Sequence, residues 1–103
     1  MALVRQEIGD VLRDLRQQKG HTLRQVASRA AVALGYLSEI ERGQKEASSE
    51  ILASVAYALD VPISQIMRLV AERFEAVETV VIPDTVPVEF VTSYDSPSLT
   101  NSR

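Results

Sequence analysis

The fold is decided by residues 22–43, which read TLRQVASRAAVALGYLSEIERG. Thr22 and Gln25 have the Thr-x-x-Gln spacing of a capping box, which predicts that a helix begins there. Gly43 has the residue type that commonly follows the end of a helix, and it predicts that a second helix ends near Arg42. Two short helices joined by a turn of three to four residues form a helix-turn-helix. The inner face of this pair is apolar, and it comprises Leu23, Val26, Ala27, Ala30, Leu37 and Ile40.

Outward from this pair, the sequence predicts three further helices in an all-α protein. Helical spacing of apolar residues predicts a first helix over about residues 4–18, which Gly20 stops. Ser48 predicts the N-cap of a fourth helix, which ends at residues 60–62 (Asp-Val-Pro). A long fifth helix follows over about residues 63–79.

The composition excludes most enzyme classes. With 103 residues, the chain has about the length of one domain and is too short for a large multidomain enzyme. The absence of cysteine excludes disulfides, thiolate metal sites and cysteine nucleophiles. His21 has no neighbouring metal ligands, and the acid pairs Asp10/Asp14 and Glu39/Glu41 have no nucleophile or base around them. We therefore expect no enzyme activity, no cofactor, no metal and no small-molecule ligand.

The absence of cysteine makes a reducing cytoplasm the expected setting, and the hydropathy pattern shows no membrane span or signal segment. No run of sequence approaches the roughly 18 to 20 apolar residues of a membrane span. No charged stretch leads into an apolar signal core. A membrane partner is therefore not expected.

The overall charge of −3 hides an asymmetry between the two halves of the chain. Residues 1–45 carry eight cations and five anions, whereas residues 46–103 carry three cations and nine anions. The first half is therefore net +3 and the second half net −6. Because the phosphates of DNA attract cations, the first half is a candidate for nucleic-acid binding in an otherwise acidic protein. The alternative is that both halves have ordinary solvated faces.

Residues 36–43, YLSEIERG, resemble the Cro/C1 (XRE) family of bacterial DNA-binding proteins, and the resemblance extends from about Leu12 to Ile66. The run LGYLSEIERGQKEASSEIL, followed by ALDVPIS and a long helix, is similar to the Clp gene regulator (ClgR) type. The resemblance implies a five-helix, lambda-repressor-like DNA-binding domain over residues 1–66, with its helix-turn-helix at about 23–42. It also implies a homodimeric transcription regulator, mainly an activator of protease and chaperone (Clp) genes. Double-stranded DNA with paired half-sites is the implied partner, and RNA polymerase is a further candidate.

Three residues depart from the wider family pattern. Ala31 occupies the turn position that is usually glycine, so either its backbone is left-handed, at a cost of about 1–2 kcal/mol, or the turn has an ordinary φ. Leu23 replaces a glutamine that contacts phosphate and base in many relatives, so that contact is not expected. Ala47 replaces a proline, which predicts a less rigid loop before the fourth helix.

The resemblance implies which side chains meet DNA. The residues at positions that in the family lie at base edges or on the groove floor are Ala33, Leu34, Gly35, Ser38 and Glu39. Alanine and leucine side chains suit thymine methyl groups, and a glutamate accepts from cytosine N4. Those expected along the phosphate backbone are Thr22, Arg24, Gln25, Arg42, Gln44 and Lys45. The alternatives are a surface pair between Glu39 and Arg42 and an ordinary solvated basic surface.

Two further expectations concern residues that combine packing with polar contacts. Tyr36 is expected to pack its ring on the core and to place its hydroxyl on a phosphate. Arg16 and Glu41 match a buried ion pair of the family that joins the first helix to the third. Arg16 is therefore expected to be structural and not to contact DNA.

The fifth helix has two interpretations. In one, its whole apolar stripe packs on its own domain. In the other, which we favour, Ile63 and Met67 pack on the domain, while the remaining apolar residues meet a second subunit. The dimerisation helix then spans residues 63–81, and its interface residues are Val70, Phe74, Val77 and Val81.

The end of the chain, residues 82–103, is predicted to be a non-helical tail. It contains three prolines and a Ser/Thr-rich end, and its VPVEFV segment at 86–91 has the alternation of a strand. We expect a mobile tail or an edge strand that pairs across a dimer. A different functional class also fits such a tail, namely a protein-interaction module such as an antitoxin that binds a toxin and autoregulates.

Overall fold

The computed structural model describes residues 3–77 and shows five α-helices within them. The helices are α1 (Val4–Gln18), α2 (Leu23–Ala30), α3 (Leu34–Glu41), α4 (Ser49–Leu59) and α5 (Ile63–Val77). The predicted five-helix, all-α architecture is therefore confirmed, and residues 3–77 contain no strand. The predicted tail at 82–103, with its strand-like segment, lies outside the described residues.

Local hydrogen bonds fix where α2 and α4 begin. The backbone N–H of Gln25 donates to Thr22 Oγ1 (3.0 Å), and the backbone N–H of Thr22 donates to Gln25 Oε1 (2.8 Å). Both bonds of the predicted capping box are thus present. Ser48 caps α4 as predicted, because its side chain accepts from the backbone N–H of Ile51 at 3.2 Å.

The turn between α2 and α3 passes through a left-handed residue. Ala31 has φ 58° and ψ 42°, so of the two conformations open to this turn the structure shows the strained one. An alanine in this region costs about 1–2 kcal/mol. Asp60, which ends α4, has nearly the same conformation (φ 59°, ψ 42°), and Asp is among the residue types that adopt it more readily.

The core lies where α2 and α3 meet α1, α4 and α5. α1 packs against both α3 and α5, while α2 packs against α3 and α4. The fully buried side chains come from all five helices, and the largest are Leu12, Val26, Leu37, Ile40, Val55, Leu59 and Ile66. The helix-turn-helix is thus backed by α1, which packs on α3, and by α4, which packs on α2, while α5 packs on α1 and α4.

The structure corrects the predicted orientation of α5. Ile63 and Met67, expected to pack on the domain, are 39% and 41% exposed. Val70, expected at a subunit interface, is 7% exposed and lies in the core with Ile66. Phe74 is partly buried against the same core. The helix carries apolar residues on both sides, and its packing against α1 and α4 buries the Ile66–Val70 side.

No single helix within residues 3–77 is both long and apolar enough to cross a membrane. α4 and α5 reach that length and composition only when taken together, across their 105° bend.

Candidate nucleic-acid interface

The N-terminus of α2 presents unpaired backbone donors beside polar side chains. The capping box uses the N–H groups of Thr22 and Gln25. For the N–H groups of Leu23 and Arg24, the described part of the chain supplies no acceptor. Helix N-termini favour anions because such donors add to the helix dipole. Thr22, Arg24 and Gln25 are exposed, so the predicted phosphate contacts lie on an accessible surface.

The outer side of α3 is open where the sequence predicts base contacts. Ala33 and Gly35 are exposed, and Ser38 and Glu39 are half-buried. A Cβ added at Gly35 would have no heavy atom within 4 Å, so this glycine faces open space and not a neighbouring helix. Leu34 differs from the others because it packs partly against the core. The exposed residues at the start of α3 therefore have small side chains or none, which allows the helix backbone to approach the floor of a groove closely.

The hydroxyl of Tyr36 makes a hydrogen bond within the protein. The ring packs against the core as predicted, but the hydroxyl donates to the backbone carbonyl of Glu46 at 3.0 Å. A hydroxyl has one proton to donate, and in this conformation the carbonyl of Glu46 accepts it. Tyr36 instead ties α3 to the loop that leads to α4.

The loop after α3 carries three exposed polar side chains on a fixed backbone. Arg42, Gln44 and Lys45 are exposed, and Arg42 Nη2 lies 3.5 Å from Gln44 Oε1. The N–H of Gln44 donates to the carbonyl of Glu39 at 2.9 Å. Arg5 on α1 donates from Nε to the carbonyl of Gly43 at 3.0 Å. Between Glu39 and Arg42 there is no ion pair, so the alternative reading of Glu39 as a surface partner of Arg42 is not supported.

The expected ion pair between Arg16 and Glu41 is present and bidentate. Arg16 Nε lies 2.8 Å from Glu41 Oε2, and Nη2 lies 2.9 Å from Oε1. Nη1 of the same guanidinium donates to the carbonyl of His21 at 3.1 Å. The two side chains are 15% and 7% exposed. The hydrogen bonds that Arg16 donates to Glu41 raise the pKa of Arg16, so the arginine stays charged and links α1, α3 and the loop before α2.

A glycine allows α1 and α3 to approach closely beside this ion pair. A Cβ added at Gly9 would lie 2.4 Å from the carbonyl oxygen of Ile40 and 2.7 Å from that of Glu41. Any side chain at this position would therefore push the C-terminal half of α3 away from α1.

The contacts that hold α5 on α1 were not predicted from the sequence. Arg73 Nε donates to Glu7 Oε1 at 2.8 Å, and Nη2 donates to Asp10 Oδ2 at 2.8 Å. Glu7 is 7% exposed. One signal was available, because Glu7 lies one turn before Val11 on the apolar stripe of α1, and a buried carboxylate needs a partner. Nothing in the local sequence indicated that the partner is 66 residues away.

Arg29 makes a second unforeseen link, between α2 and the end of α4. Its Nη1 donates to the carbonyl of Ala58 at 2.9 Å and lies 3.6 Å from Asp60 Oδ2. The guanidinium also lies over the Tyr57 ring, 5.7 Å from its centroid. Within residues 3–77, no group of His, Cys, Asp and Glu side chains is arranged to hold a metal ion.

Comparison with known proteins agrees with this geometry. Residues 7–69 match the family described as helix-turn-helix domain. The transcriptional regulator ClgR of Mycobacterium tuberculosis is 54% identical over 72 residues, which are 70% of this chain and 64% of that protein. The chain thus spans less than two thirds of the length of this relative.

Two solved structures show the same arrangement of helices. The clp gene regulator ClgR from Corynebacterium glutamicum has a TM-score of 0.70 and 37% identity, covering 93% of this chain and 97% of that one. The restriction-modification controller protein C.AhdI from Aeromonas hydrophila has a TM-score of 0.59 and 29% identity, covering 60% of this chain and 94% of that one. The two proteins share the fold with this chain at identities above 25%.

Proposed function

This chain belongs to the helix-turn-helix domain family, in the Cro/C1 (XRE) type that includes ClgR, and we propose that it is a homodimeric, sequence-specific DNA-binding transcription regulator. One observation carries the proposal. In chain order, the exposed first turn of α3 comes between the free N–H donors that begin α2 and the exposed cations that follow α3. A groove-reading surface flanked by phosphate contacts on both sides has this layout.

In this proposal α3 is the recognition helix. Ala33 and Gly35 approach the groove floor, and Ser38 and Glu39 reach base edges, where a glutamate accepts from cytosine N4. Leu34 offers the part of its side chain that is not packed on the core to a thymine methyl group. Tyr36 supports α3 from behind through its bond to the Glu46 carbonyl.

Phosphate contacts come from both ends of the helix-turn-helix. The N–H groups of Leu23 and Arg24, together with the predicted side chains at 22, 24 and 25, hold one phosphate region. Arg42, Gln44 and Lys45 hold the region beyond α3. Because the backbone of Gly43 and Gln44 is fixed by Arg5 and Glu39, these side chains start from a defined position.

We propose that α5 forms the dimer interface through its outward side. Ile63 and Met67 lie one turn apart on this side and are 39% and 41% exposed, and an association of two copies removes such apolar surface from water. Phe74 contributes the part of its ring that the core leaves uncovered. Val77 and Val81 remain interface residues predicted from the sequence, whereas the core position of Val70 removes it from the interface.

The biological role we propose follows from the similarity to ClgR. The name of the solved relative, clp gene regulator, leads us to propose Clp protease and chaperone genes as targets and activation as the mode, with RNA polymerase as a further partner. A regulator of this kind works in the bacterial cytoplasm, where its DNA lies.

The DNA test is footprinting of the purified chain on genomic fragments. We expect two protected half-sites with centres about 34 Å apart, one turn of the duplex. Protection of one unpaired segment would contradict the dimeric mode of binding. No protection, combined with capture of a tight stoichiometric protein partner, would favour the antitoxin alternative.

The dimer test uses Met67→Lys in sedimentation at micromolar concentration. The parent chain should sediment as a dimer and the variant as the 11.4 kDa monomer, because a charge would then be buried in the interface. Val4→Lys is the matched control, since Val4 is an exposed apolar residue (58%) on α1, and it should remain dimeric. A dimeric Met67→Lys would contradict the proposed interface.

A further inference from the structure

α1 is the direct structural link between α3 and α5. It packs against both helices, whereas α3 and α5 have no comparable contact with each other. The α1–α3 side of this link is close and nearly buried, through Gly9 and the Arg16–Glu41 pair. A change in how α5 lies on α1 therefore changes how α5 is oriented relative to α3.

Arg73 anchors α5 on α1 through one acidic face. Its guanidinium donates to Glu7 and Asp10, each at 2.8 Å, and its Nη1 lies 3.7 Å from Asp14 Oδ2. The three acids are spaced by three and four residues, so they lie on one side of α1. A planar guanidinium that engages two carboxylates through different nitrogens fixes both the distance and the rotation between the helices.

We propose that Arg73 is a positioning residue that sets the spacing of the two DNA half-sites. The proposal rests on the proposed function, in which α5 joins two copies and α3 reads DNA. Each recognition helix lies about 17 Å from the dyad when the two are one duplex turn apart. A change in the tilt of α5 on α1 would move both recognition helices relative to the dyad, and a change of about 3.4 Å in their separation corresponds to one base pair. Residues that touch no DNA thus influence which spacing the dimer accepts.

The structure places Arg73 in a different environment from Arg68 on the same helix. Arg68 is exposed, and no acid within residues 3–77 pairs with it. The two arginines have the same charge and helix, but only Arg73 contacts α1. Arg68→Gln is therefore the matched control for Arg73→Gln.

The experiment uses duplexes that the parent chain selects from a randomised library. Binding is measured by fluorescence anisotropy on the selected paired site, on the same site with its spacer lengthened or shortened by a single base pair, and on an isolated half-site. For Arg73→Gln we expect affinity for the selected spacing to fall by about tenfold, within the range reported for coupling mutations. Its preference among spacings should flatten, and its affinity for the isolated half-site should match that of the parent. Arg68→Gln should keep the parent profile.

A second variant covers the case in which Arg73→Gln does not fold. Asp10→Asn removes the ion pair between Asp10 and Arg73, and the Asp10 side chain is 36% exposed. The ion pair between Glu7 and Arg73 remains. The variant should flatten the spacing preference in the same direction and to a smaller extent. Circular dichroism and sedimentation establish that each variant is folded and dimeric.

The outcomes separate this inference from the proposed function. If the parent chain selects paired half-sites and both variants retain its spacing profile, the positioning role of Arg73 is wrong and the proposed function stands. An equal loss on paired and isolated half-sites would also overturn it, because the defect would then lie in the DNA-reading surface. If the parent chain selects no paired site, the proposed function is wrong and the inference falls with it.

Discussion

α1 holds α3 and α5 by two arginine–carboxylate contacts that differ in exposure. At the α1–α3 contact, Arg16 and Glu41 are 15% and 7% exposed and form a bidentate pair. At the α1–α5 contact, Arg73 is 38% exposed and shares its charge among three acids, of which only Glu7 is buried. Water screens exposed pairs and leaves buried ones strong. α3 is therefore fixed to α1 more firmly than α5 is.

Breaking the buried contact should have the largest effect. Glu41→Ala leaves the Arg16 guanidinium without its carboxylate in a nearly buried position, which should lower the free energy of unfolding by about 3–5 kcal/mol. Urea denaturation followed by circular dichroism measures the change. Glu39→Ala, two residues earlier on α3 and without an ion pair among the described residues, should change stability by less than about 0.5 kcal/mol. Similar losses in the two variants would contradict the firm attachment of α3.

A second way to break the α1–α3 contact is to fill the space at Gly9. Gly9→Ala places a methyl group 2.4 Å from the Ile40 carbonyl oxygen, and the forced separation should cost about 1–3 kcal/mol. Gly35→Ala is the matched control, because its methyl group meets open space. It should raise stability by about 0.5–1 kcal/mol through helix propensity. Thermal unfolding of both variants checks the opposite signs, and a stabilised Gly9→Ala would refute the close approach.

Weakening the exposed α1–α5 contact should lower the free energy of unfolding least, and the size of that loss should depend on salt. Asp14→Asn removes the acid that is 50% exposed and 3.7 Å from Arg73, so the free energy of unfolding should fall by less than about 1 kcal/mol. This loss should shrink at high ionic strength. Urea midpoints at low and high salt measure it. A loss as large as that of Glu41→Ala would remove the contrast between the two contacts.

Sequence rules predicted the local features of the fold well. The capping box at Thr22, the cap at Ser48 and the helix end at Gly43 all depend on hydrogen bonds between residues a few positions apart. Gly43 indeed has a φ of 75°, which glycine adopts without strain. The Arg16–Glu41 pair came from the family resemblance and not from the spacing of the residues, because its partners are 25 residues apart.

The sequence could not predict which side of α5 faces the core. Ile63 and Met67 form one apolar pair a turn apart, and Ile66 and Val70 form another. Helical periodicity does not distinguish the two pairs, and the buried side is decided by how α5 packs against α1 and α4, which is a tertiary feature. The Arg73–Glu7 contact was missed for the same reason, since it forms only when α5 lies on α1. Likewise, the hydrogen bond from Tyr36 to the carbonyl of Glu46 was not predicted, because the path of the loop after α3 brings these two groups together.

The salt dependence of binding shows whether the surface around α3 binds the DNA backbone. The logarithm of the association constant for the selected duplex should fall linearly with the logarithm of salt concentration. Lys45→Gln should reduce the slope by about one, as expected for the loss of one phosphate contact, and Arg68→Gln on α5 should leave it unchanged. Binding that does not change with salt, or equal slopes for Lys45→Gln and the parent chain, would contradict the account.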